Sequence, residues 1–182
     1  TGMDAEKLNV LAANAAKIAA NGILGTLALT KDVNNLPGLL AKADAGANVT
    51  VDAAGMSVGQ LHDVAPAYLV VDAISNLSLT SATSATDINT LLLHATGAVA
   101  NATGMSAQQL SKLGLRAGAL ADDGITGDLA YNQTVTDAAA MFGKVSLAAN
   151  VTVAAQNIDA TGLVDRKSTR LNSSHANISY AV

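Results

Sequence analysis

Few residues in this chain could do chemistry, and their spacing limits what that chemistry could be. No cysteine is present, which removes disulfides, thiolate nucleophiles and thiolate metal ligands together. Ahead of residue 165 the histidines are His62 and His94. Nucleophilic catalysis needs a nucleophile held against a base, and the base held by a third group. Two imidazoles on two different predicted helices supply no such set, and a lone helical histidine ordinarily faces solvent. No catalytic residue is therefore expected. Asp52, Asp72, Asp122, Asp123 and Asp159 fall near predicted strand and helix ends, where oxygen ligands could gather around calcium. Aspartate serves turns and caps equally well. Neither the EF-hand loop nor the glycine-rich nonapeptide of calcium-binding β-helices occurs, so turn chemistry is the expectation, with no metal and no cofactor. Sequons stand at Asn48, Asn76, Asn101, Asn132 and Asn150, as a chain rich in Asn and Thr would produce by chance.

The elements that must position these residues are written several times over. Thr103-Gly104-Met105-Ser106-Ala107-Gln108-Gln109-Leu110 has counterparts at Thr1-Gly2-Met3-Asp4-Ala5-Glu6-Lys7-Leu8 and Ala54-Gly55-Met56-Ser57-Val58-Gly59-Gln60-Leu61. A worn start follows at Thr161-Gly162-Leu163, and the successive spacings from Met3 to Leu163 are 53, 49 and 58 residues. Periods in this range signal a repeat array. Repeats are predicted at 1–53, 54–102 and 103–160, with the start of a fourth. Asp4, Ser57 and Ser106 stand at N-caps, with Gln60 and Gln109 at the capping-box distance. Leu8, Leu11, Ala15 and Ile18 mark a helical stripe, matched by Leu110, Leu113, Ala117 and Leu120. Gly22 and Gly124 are expected to end those helices in the left-handed conformation, and Pro66 to split the second. Period-two segments around Leu27, Val49, Leu77, Val99, Leu129 and Val151 predict strands. Further helices are expected between the strands of each repeat, near Leu36–Ala43, Ile88–Ala95 and Ala138–Phe142.

Half of the residues are hydrophobic but only 2% are aromatic, which would leave a conventional globular core thin. Parallel strands joined by helices then predict an α/β fold, a right-handed solenoid of about six β-α coils with a parallel strand wall and a helix wall. The coil length resembles that of leucine-rich repeats, although the asparagine ladder of that family is absent. The Thr-Gly-Met-Ser-Ala-x-Gln-Leu unit and the Val49-Thr50-Val51-Asp52-Ala53 segment resemble units of very long, repetitive bacterial exoproteins. That resemblance covers residues 1–164 and carries no catalytic residue. It implies a secreted or surface-attached bacterial array. The chain opens inside a repeat at Thr1, so a fragment is expected, and the scarcity of aromatic residues on the strands favours a spacer or adhesin-like role, with neighbouring repeats as its contacts. Recognition of a protein or glycan through the strand face is the alternative. Residues Asp165 to Val182 break the pattern and resemble the in-frame translation of a short-read sequencing adapter, so they are set apart from the fold.

The formal charge is −4, and no basic cluster precedes residue 165, which argues against a nucleic-acid partner. Lys17 and Asn21 interrupt the longest apolar run, so no transmembrane segment is expected.

Overall fold

A computed structural model describes residues 2–154. The adapter-like tail and the fourth repeat start lie outside the described residues. Among the described residues six short α-helices form: α1 (Ala5–Ala13), α2 (Leu36–Leu40), α3 (Val58–Val64), α4 (Ala85–Leu91), α5 (Ala107–Leu115) and α6 (Ala138–Phe142). Each starts where a cap or a dipole-favoured residue stands. Asp4, Ser57, Ser84 and Ser106 accept hydrogen bonds from backbone N–H groups three residues on, with complete capping boxes at Ser57–Gln60 and Ser106–Gln109.

Eight strands accompany them: β1 (Thr26–Leu29), β2 (Asn48–Asp52), β3 (Ala73–Ser75), β4 (Ser78–Leu79), β5 (Ala98–Asn101), β6 (Leu120–Thr126), β7 (Asp128–Tyr131) and β8 (Asn150–Val153). All pairings are parallel, and every paired strand is joined to the next through a helix. The fold class is thus α/β, but the expected solenoid of six coils with one strand wall is corrected. The strands form three separate small sheets, ordered β1-β2-β3, β4-β5-β6 and β7-β8, none of them closed or curled.

Two strands that periodicity missed account for the division. β3 and β4 are nearly continuous in sequence, as are β6 and β7, but a left-handed residue interrupts each pair: Asn76 at φ 53° and Gly127 at φ 79°. A positive φ turns a strand out of its line. β3 therefore pairs back to β2 while β4 pairs forward to β5.

The register near Val99, which the repeat spacing leaves open between Ala98 and Val99, goes to Ala98: Val99 is 43% exposed, and Ala98 and Ala100 take the interior. Leu27 pairs Val49 and Leu129 pairs Val151, all four buried.

The first helix of each repeat is shorter than its apolar stripe. α5 ends at Leu115 and passes through a 3-10 turn at Ala117–Ala119, so Leu120 belongs to a strand. The left-handed residues near Gly22 and Gly124 are Asn21 and Asp123, each one position earlier than the glycines. α3 stops at Val64, and Pro66 sits in the following 3-10 turn, where its missing N–H costs no helical bond. Gly114 has a packing reason inside α5: a Cβ there would lie 2.5 Å from the Asp137 carbonyl at the start of α6.

One apolar cluster runs from Leu8 to Val153 and is built almost wholly of Leu, Val, Ile and Ala. Within it Thr83 is buried, and its hydroxyl has no partner. Val33 and Val135 hold the same place in the other repeats: each of the three donates its N–H to the carbonyl three residues back. Thr83→Val exchanges the orphaned hydroxyl for a methyl and is expected to stabilise the protein by about 1 kcal/mol. A rise in the urea midpoint at unchanged slope would register it; an unchanged or lower midpoint would show that the hydroxyl is satisfied in solution.

Candidate functional site

The N-caps of α1, α3 and α5 place one residue of each repeat in equivalent positions, five after the cap: Asn9, His62 and Ser111. Each reaches a group 25 residues ahead, near the start of the next helix. Asn9 Oδ1 accepts from the Asn34 N–H at 2.6 Å, and Ser111 Oγ accepts from the Thr136 N–H at 2.9 Å. In the second repeat Ser84 stands where Asn34 and Thr136 do, and His62 Nδ1 instead meets Asp87 Oδ2, three residues further on, at 2.9 Å. The imidazole is 67% exposed, while the Asp87 side chain is only 10% exposed. Asp87 lies in the first turn of α4, its own N–H bonded to Ser84 Oγ, where a carboxylate also suits the helix dipole.

The hydrogen bond to Asp87, and then the carboxylate's charge, hold the His62 pKa above its ordinary 6.5. His94 does not join this pair; it follows α4 half-buried, and its backbone carbonyl accepts from the Ile74 N–H. Sequence reasoning missed Asp87 as the partner. Superimposing the repeats gives the forward-facing place of His62, but opposite Asn34 and Thr136 it puts Ser84, so spacing does not point to Asp87.

The sequence-selected aspartates do not converge. Asp52 Oδ1 accepts from Asn76 Nδ2 at 2.9 Å and from the Ala54 N–H at 3.1 Å, and these bonds lower its pKa in that order. Asp72 Oδ2 accepts from the Val49 N–H at 2.7 Å, and Asp122 pairs with Lys144 Nζ at 2.7 Å. Asp123 occupies its left-handed turn, and Asp159 lies outside the described residues. Among the described residues, no three His, Asp or Glu side chains gather as metal ligands. Sequon asparagines serve turns and ladders: Asn101 and Asn132 cap the N–H groups of Thr103 and Thr134, and Asn76 and Asn150 donate to Asp52 and Asp128. Asn48 opens β2, exposed.

Beside His62 lies an apolar cleft of about 410 Å³, walled by Pro37, Leu40, Pro66, Leu69 and Val70. Two residues fewer separate Ser57 from Ile74 than separate Asp4 from Ile23 or Ser106 from Ile125. With Pro66 ending α3 early, the short connection leaves Leu69 81% exposed.

No family model, curated protein or solved structure matches this chain. No helix among the described residues is long and apolar enough to cross a membrane.

The raised His62 pKa fixes the sign of a pH effect. The pair's contribution to stability is fully present below pH 6.5 and is lost as pH rises through the folded-state value. An NMR titration is expected to place the His62 midpoint above 6.5, and Asp87→Asn to bring it back toward 6.5. Identical midpoints in the two proteins would mean that the pair does not form.

Proposed function

We propose that this chain is a structural repeat segment, a spacer or adhesin-like stalk, of a large secreted or cell-surface bacterial protein, without enzymatic activity. The observation that carries this reading is that the motif residues join one repeat to the next. Gln109 Nε2 donates to the carbonyls of Ser81 and Thr83 at 2.9 and 2.6 Å, and Gln60 Nε2 donates to the Lys31 carbonyl at 2.7 Å. The most strongly repeated part of the sequence is thereby spent on cohesion between repeats. The extracellular setting rests on the likeness of the repeat units to those of long bacterial exoproteins.

Recognition through the strand face draws no support from the side chains there. Thr26, Ala28, Ser78, Ala130 and Thr152 point outward beside Asp52, Val99, Asn101, Asp128 and Asn150, and none of these is aromatic or arginine. Tyr131, the aromatic on those strands, is buried with its ring edge against Phe142, centroids 5.1 Å apart. Binding sites usually display aromatic and arginine anchors.

A glycan array and a panel of extracellular-matrix proteins, probed with the chain at high density, are expected to give no saturable binding. Saturable binding that is lost on Ala130→Arg or Thr152→Arg would overturn the structural reading in favour of recognition by the strand face.

A further inference from the structure

From Met3 to Val51 the first repeat runs in step with the third, from Met105 to Val153, without a gap. Their burial differs. Met105, Leu113, Leu120 and Ile125 are buried, whereas at the same four places Met3 is exposed and Leu11, Ile18 and Ile23 are half-buried. The second repeat makes the difference. α5 packs on α4, and Ile125 is paired on both sides, with Ala100 of β5 and with Val145. Ile23 keeps the matching bridge to Ala43, but among the described residues no strand lies on its other side. The first repeat thus turns to solvent an apolar surface that the third buries against its neighbour.

The other end of the chain supplies the complementary face. Val151-Thr152-Val153 in β8 stands where Val49-Thr50-Val51 stands in β2, and α6 stands where α2 does. The second repeat covers both of those elements in the first. α3 packs on α2, the Asp72 N–H donates to the Val49 carbonyl, and the Ala53 N–H donates to the Ser75 carbonyl. β8 pairs with β7 on its inner edge, and among the described residues no strand lies on its outer edge. An open parallel edge is a template for one more strand. In the β2–β3 register Val51 faces Ile74 and Asp52 faces Ser75. The same register on β8 sets Val153 opposite Ile23 and Ala154 opposite Leu24 of another chain.

We propose that copies of this chain associate head to tail, the face of α1 and Ile18–Leu24 in one copy docking on α6 and the β8 edge of the next. The occupant is a second copy because each face carries the residue types that already make this contact twice within the chain. Two different faces meet, so the contact is heterologous and the product is an open row of copies, not a two-fold dimer. The inference rests on the equivalence of the repeats and not on the stalk reading.

The chain contains no cysteine, so disulfide trapping reads the contact directly. Facing residues on paired strands stand about 5 Å apart, within reach of a disulfide. Leu24 and Ala154 are both exposed, so Leu24→Cys and Ala154→Cys leave the core untouched. The two full-length variants are oxidised separately and as an equimolar mixture, one of them isotope-labelled. The mixture is expected to give a mixed-mass disulfide dimer, while neither variant alone gives more than a trace. The double variant is expected to give a ladder of multimers. On the unaltered chain, sedimentation should show an average mass that keeps rising with concentration, and Met3→Asp should abolish the rise. The proposal is overturned if the unaltered chain stays monomeric throughout, if its mass levels off at a dimer, or if each cysteine variant dimerises alone as readily as the mixture.

Discussion

The Gln109 side chain holds together what the rest of the structure depends on. Its Oε1 accepts from the Ser106 N–H at 2.7 Å, closing the cap of α5. Its Nε2 donates to two carbonyls of the preceding repeat, at Ser81 and Thr83. The residue is buried, so these bonds are made where water cannot replace them, and a lost partner would cost more than an exposed bond contributes. One amide thus starts a helix and fixes its position against the neighbouring turn. Gln60 does the same for α3 with a single exposed bond to Lys31, and Asn35, the cap of α2, donates back to the Ala12 carbonyl at the end of α1.

Such side-chain links matter here because the sheets are small. Three parallel sheets of three, three and two strands share one core that contains little beyond aliphatic side chains. Left-handed residues at Asn76 and Gly127 cut the hydrogen-bond ladder where continuous strands would have carried order from one repeat to the next. Across those breaks, order is carried by packing of α3 on α4 and α5 on α6 and by polar side chains such as His62 on Asp87 and Ser111 on the Thr136 N–H, each 25 residues apart. The His62 pair differs in being titratable.

Much of the local structure was legible because it is set by short-range physics. The capping boxes, the six helix positions and the alternating cores of β1, β2, β7 and β8 follow from residue type and period. The division into sheets was not legible, since Ala73–Ser75 and Leu120–Thr126 carry no clean alternation and the decisive feature is the φ of single residues. Helix ends were misjudged by several residues, because the stripe from Leu110 to Leu120 continues in apolar character after the chain has left the helix. The register near Val99 was open by one residue, because three apolar residues in a row carry no alternation; the interior takes Ala98 and Ala100. The His62 pair could not be read from spacing, because the place opposite it in the repeat falls on Ser84 and its partner stands three residues on.

The central claim, that the repeated glutamine joins successive repeats, is tested most directly by Gln109→Glu. Glutamate keeps the acceptor that completes the capping box but replaces the donor facing Ser81 and Thr83 with an oxygen. Urea denaturation is expected to show a loss of about 2–3 kcal/mol, with faster amide exchange near Thr83 and a smaller loss for Gln60→Glu, whose single bond is exposed. Unchanged stability and exchange in Gln109→Glu would contradict the claim and reduce the glutamine to a helix cap.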